Sequence, residues 1–67
     1  MTIGENIRNK RLECDIEQQE LAQRVGVTKA MMCSIETGVK MPSVAVLVSI
    51  ADTLHCSVDE LLGRKVS

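Results

Sequence analysis

Apolar residues recur along this chain at intervals of three and four, and no stretch alternates as a strand would. The spacing predicts five helices. The first runs from about Ile3 to Cys14, with Ile3, Ile7, Arg11 and Cys14 on one stripe, and Asp15 and Ile16 break it. Two short helices then follow one another between Gln18 and Gly38. Leu21, Ala22 and Val25 mark the first, Met32 and Ile35 the second, and Gly26 with Val27 the break between them. Thr28 suits the N-cap of the second, because its hydroxyl accepts a backbone N–H from the next turn. Gly38 suits its end, where the chain turns left-handed. Val39 to Pro42 form a loop. Ser43 caps a fourth helix, Val44 to Leu54, in which Val44, Leu47, Ile50, Ala51 and Leu54 are spaced to face inward. His55 and Cys56 make a turn. Ser57 caps a short fifth helix, Val58 to Leu62, with Glu60 placed to complete a capping box. The linkers are short, so residues 1–67 are expected to form one all-α domain.

Two helices joined by a glycine turn of this length form a helix-turn-helix, whose second helix can lie in a DNA major groove. Composition narrows the alternatives. A chain of 67 residues leaves no room for a separate sensing or catalytic domain. With no Phe, Tyr or Trp, the core must be aliphatic, with Met filling gaps. No apolar run is long enough for a bilayer, and no basic stretch followed by an apolar one opens the chain, which points to the cytoplasm. Three cysteines, an odd number, do not suggest a disulfide framework and are read as reduced thiols. A zinc site from Cys14, Cys33, His55 and Cys56 is disfavoured: no C-x-x-C pair is present, and an adjacent His-Cys is a poor start for tetrahedral ligation. No carboxylate dyad, Ser-His-Asp set or phosphate loop occurs, so neither an enzyme nor a cofactor is expected. The net charge of −1 counts against a nucleic-acid binder. Its distribution does not: from Arg24 to Lys40 three basic residues face one acid, Glu36.

Several segments, taken in order, resemble the Cro and lambda-repressor-like family of helix-turn-helix regulators, the small bacterial and phage xenobiotic-response-element type. They are IGENIRNKR, QQELAQRVGV, the Ile35-Glu36-x-Gly38 ending, Pro42-Ser43, and Ser57 to Leu62. The resemblance covers Ile3 to Gly63 and implies a five-helix lambda-repressor-like domain with the helix-turn-helix at helices two and three. It places Gln18 where relatives have a Gln that braces the recognition helix and touches DNA. It puts Thr28, Lys29, Ala30, Met31 and Ser34 on the groove side, with Thr37 and Lys40 just beyond, against phosphates. Chemistry agrees: Lys29 can reach guanine O6 and N7, and Ala30 and Met31 can meet a thymine methyl. The resemblance also implies an Arg11–Glu36 salt bridge between helices one and three. The short fifth helix has more apolar residues than one inward face needs, which suggests a homodimer surface of Val46 on helix four, Cys56, Ser57 and Val58, and Leu61 or Leu62 on helix five; the resemblance implies the same region, the last helix and the turn before it.

The chain departs from the family pattern at a few positions. Glu17 stands where many relatives have a small polar cap; its carboxylate favours the helix dipole and repels a DNA backbone. Asp15 and His55 each replace a common Gly at a helix end, where a left-handed backbone is expected. No Arg, Asn or Gln lies within 29–34, so part of any specificity would come from DNA shape. Two functions follow. One is a transcriptional regulator, a small repressor reading a palindromic operator as a homodimer. The other is a protein-interaction module, an antitoxin or anti-repressor, with Val39, Met41, Val46 and Val48 as its partner surface. Lys29 and Lys40 are DNA contacts in the first and ordinary surface lysines in the second.

Overall fold

A computed structural model of the protein describes residues 2–63. They form α1 (Ile3–Glu13), α2 (Gln18–Val25), α3 (Lys29–Thr37), α4 (Val44–Thr53) and α5 (Val58–Leu62), with no strand among the described residues. Local chemistry fixes most helix ends. Thr2 opens α1 with a capping box: its hydroxyl accepts from the Glu5 N–H at 3.2 Å, and its own N–H donates to the Glu5 carboxylate at 3.2 Å. The hydroxyls of Thr28, Ser43 and Ser57 cap α3, α4 and α5 in the same way. Glu17 takes the N-cap position of α2 with no side-chain hydrogen bond. Gly26 and Gly38 end α2 and α3 at φ 89° and 86°. Asp15 and His55, at φ 58° and 54°, make left-handed turns without glycine.

The core is aliphatic. Ile7, Leu21, Met32, Ile35, Ile50, Leu54 and Leu61 are almost fully buried, with Ala22, Leu47 and Ala51 between them. Helix α2 packs on α3 and α4, and α1 packs on α3 and α5. Burying each large aliphatic side chain contributes roughly 1.5–3 kcal/mol. Outside the core, Asn6 Nδ2 donates to the Leu61 carbonyl at 3.0 Å, and Lys10 Nζ lies 3.4 Å from Glu60, joining α1 to α5.

Three residues expected inside or at the surface lie elsewhere. Val44 is 79% exposed rather than inward, because it occupies the first turn of α4, ahead of the part that packs on α2 and α5. Cys14 is exposed at the end of α1, its thiol directed at the Leu54 carbonyl 3.5 Å away. Leu61, assigned above to a dimer surface, is 1% exposed. It is the residue by which α5 anchors to the core, so it cannot also face a partner.

The buried stripe of α1 is Gly4, Ile7 and Arg11, spaced three and four apart. A Cβ on Gly4 would run into the Ile35 carbonyl oxygen and lie 2.6 Å from that of Glu36. The first turn of α1 therefore rests directly on the last turn of α3. One heptad on, Arg11 Nε donates to Glu36 Oε2 at 2.8 Å and Nη2 to Oε1 at 3.1 Å. The third nitrogen, Nη1, donates to the Ile16 carbonyl at 2.8 Å, and Gln18 Nε2 reaches Glu36 Oε1 at 3.3 Å. The pair is shielded, with side chains 10% and 2% exposed. Among the described residues no buried side-chain polar atom lacks a partner.

These contacts predict two stability losses. Gly4→Ala should destabilise by about 1–3 kcal/mol, because overpacking against backbone outweighs the gain in helix propensity. A thermal melt with an unchanged or raised midpoint would contradict the close approach. Arg11→Ala should cost about 3–5 kcal/mol, since it leaves Glu36 buried and unpaired. Adding Glu36→Gln to that variant should recover part of the loss in urea titration; no recovery would mean that the uncompensated charge is not the cause.

Candidate nucleic-acid interface

Helix α3 presents two rows of side chains. Lys29, Cys33 and Thr37 follow one another at intervals of four, and Ala30 and Ser34 run beside them. Met32, Ile35 and Glu36 form the opposite, buried side. The helix is thus held by its inner face, while its first turn is free to meet another surface. Thr28 Oγ1 accepts from the Met31 N–H at 3.1 Å, which leaves the hydroxyl proton available as a donor. Thr37 Oγ1 donates to the Cys33 carbonyl at 2.9 Å.

Two depressions flank this row. One is a cleft between the first half of α1, the start of α2 and the side of α3; Arg8, Glu17, Gln18, Gln19, Lys29 and Cys33 line it. The other, smaller, lies at the far side and is lined by Thr28, Ala30, Met31, Ser34 and Lys40. Every residue expected to face DNA borders one of the two, and Thr37 closes the first. Met31 also packs partly on the core, so less of it is offered outward than of Lys29 or Ala30. Gln18 spends one amide N–H on Glu36, and its side-chain carbonyl accepts no hydrogen bond among the described residues.

Sequence reasoning missed Arg8, Gln19 and Cys33 at this site. The signal for Cys33 was present: it stands one helical turn after Lys29 on the same row. Arg8 had no such signal, because the cleft forms only when α1 closes on α3.

Lys29 and Lys40 are exposed and make no ion pair among the described residues. Arg24 is engaged with Glu20 at 2.7 Å, an exposed pair worth a few tenths of a kcal/mol. The Glu5 carboxyl is held below its usual range by the Thr2 backbone N–H. The Glu60 carboxyl is likewise lowered, by the Ser57 N–H and then by Lys10. Burial pushes the Cys56 thiol up, which keeps it a protonated, weakly reactive group. No three His, Cys, Asp or Glu side chains converge as a metal ion would need, among the described residues. Nor is any described helix long and apolar enough to cross a membrane.

None of the residues expected to dimerise lines either depression. Val46, Cys56 and Val58 are half-buried against the core, Ser57 is exposed, and Leu62 is 44% exposed. Val39 and Met41, on the loop after α3, are each about three-quarters exposed.

Residues 7–61 match the helix-turn-helix family. The transcriptional repressor RstR of a cryptic CTXphi phage, from Vibrio cholerae serotype O1, is 36% identical over 64 residues, covering 96% of this chain and 57% of that protein. The chain spans about half the length of the curated relatives it matches. Among solved structures, the P22 c2 repressor in complex with a synthetic operator superposes with a TM-score of 0.90 at 31% identity, covering 97% of this chain and 98% of that one. SinR, a master regulator for biofilm formation, solved in complex with DNA, gives 0.85 at 35% identity, covering 91% and 98%. The chain belongs to the helix-turn-helix family, in its Cro and lambda-repressor-like branch.

Proposed function

We propose that this chain is a sequence-specific DNA-binding transcriptional regulator, a small repressor that binds a palindromic operator as a homodimer. The observation that carries the reading is the free first turn of α3, capped by Thr28, with Lys29 and Ala30 exposed on a helix locked from behind by Arg11–Glu36. A helix so held can enter a major groove without reordering itself. Lys29 contacts a guanine edge or a phosphate, Ala30 and Met31 a thymine methyl, and Ser34 either kind of base. Gln18, Thr37 and Lys40 grip the backbone on the two sides. The RstR and P22 c2 relatives, named as repressors, support the direction of regulation. A role on DNA also fits the cytoplasm, where the three thiols remain reduced.

The second reading, a protein-interaction module, is favoured by one observation: Val39 and Met41 stand about three-quarters exposed among the described residues. A neighbour, SinR, has also been solved in a complex with SinI. Retention on random duplex DNA that falls steeply with salt supports the regulator, because neutralised phosphates release counterions. Salt-insensitive, negligible retention supports the interaction module.

Lys29→Ala should weaken operator binding by roughly 1–3 kcal/mol if the lysine reads a base. A fluorescence titration giving unchanged affinity would reject that role. The proposed dimer uses Val46, Cys56, Ser57, Val58 and Leu62. Two recognition helices must sit about 34 Å apart to meet successive grooves, which requires a two-fold contact away from α3. Val58→Asp should bring like charges together at that axis and shift the protein toward monomer, with operator affinity lost before the fold. Sedimentation in which the parent is monomeric at tens of micromolar, or the variant is still dimeric, would defeat this placement.

A further inference from the structure

Of the eight lysines and arginines, Arg64 and Lys65 lie outside the described residues. Lys10, Arg11 and Arg24 are each paired with a carboxylate. That leaves Arg8, Lys29 and Lys40, which form neither a salt bridge nor a side-chain hydrogen bond among the described residues. All three border the two depressions beside α3. Lys29 opens α3 and Lys40 follows its C-cap by two residues. Arg8 is on α1, next to the core residue Ile7, and enters the larger cleft opposite Gln19 and Lys29.

We propose that Arg8 is a further DNA contact, made from α1 to a backbone phosphate beside the groove that α3 occupies. The proposal rests on the DNA-binding reading above. An α-helix with its side chains is about 10–12 Å across and the major groove about 12 Å wide, so α3 fills it. A side chain flanking α3 then meets the groove wall, which is phosphate. The guanidinium fork matches that ligand, and Gly4 holds α1 close enough to α3 for a long side chain to span the gap. The cleft also holds the opposing charge. The Glu17 side chain has no hydrogen bond or ion pair among the described residues and lines the same cleft. Glu5 is a second carboxylate on the lining, and Arg8 with Lys29 offsets these two acids, so that the edge is not left negative toward a phosphate backbone.

The test is operator and random-duplex affinity of the full chain over a range of salt. Arg8→Ala should weaken both duplexes by the same factor and reduce the slope of log K against log salt by about one. Arg8→Lys should keep the slope. Glu17→Ser should strengthen both, and Arg8→Ala should still lower the slope in that background. Because Arg8 is exposed, its melting temperature should match the parent's. A parent that binds DNA with an unchanged slope in Arg8→Ala overturns the proposal and leaves the DNA-binding reading standing, as does an effect of Arg8→Ala that vanishes once Glu17 is Ser. A parent that binds no duplex overturns both. Inorganic phosphate that shifts the Arg8 Nε–H resonance of the free protein, with the DNA slope unaltered in Arg8→Ala, identifies a small-anion site and also overturns it.

Discussion

The structure depends on one buried ion pair. Arg11 and Glu36 lie 25 positions apart, and their bidentate bond joins α1 to the last turn of α3. The remaining guanidinium nitrogen holds the Ile16 carbonyl in the segment leading into α2, and Gln18 completes the cluster from the first position of α2. Three helices are thereby set relative to one another at a single polar point. Such a pair adds little net stability over an apolar substitute, since desolvation of both ions offsets their attraction. What it supplies is a fixed register. An apolar contact tolerates sliding, whereas a planar fork on a carboxylate accepts one geometry.

Gly4 makes that geometry reachable. The guanidinium meets Glu36 only because α1 comes to rest on the carbonyls of Ile35 and Glu36 one heptad earlier. A side chain there would lift the helix and lengthen every contact beyond it. The absence of a side chain at Gly4 and the presence of a long one at Arg11 are parts of the same arrangement.

Much of this was legible in the sequence. The caps at Thr28, Ser43 and Ser57 and the glycine ends at Gly26 and Gly38 are encoded within three or four residues, so reading them needs no knowledge of the fold. The stripe Leu47, Ile50, Ala51 and Leu54 was equally local. Val44 continues that stripe yet is exposed, because periodicity tells which face a residue is on and not whether anything lies opposite. Leu61 and Leu62 differ in the same way: adjacent in sequence, one anchors α5 and the other points outward. The Arg11–Glu36 link followed from family resemblance, since the residues alone read as two charges. Gly4 and Arg8 were invisible for another reason. Their significance lies in what α1 meets after folding, and no local pattern records that.

The dense bonding around Glu36 bears on how binding energy responds to mutation far from DNA. A face assembled before contact loses little conformational freedom when it docks, so less of the interaction is consumed in ordering. The same rigidity ties affinity to the folded population. A small aliphatic domain has a stability of only a few kcal/mol in hand. Once a core substitution leaves only a fraction of molecules folded, apparent affinity falls by that fraction while every contacting side chain remains in place. Screens for loss of binding should therefore recover Gly4, Arg11 and Leu61 alongside Lys29. Only folding measurements on each variant would separate the two groups.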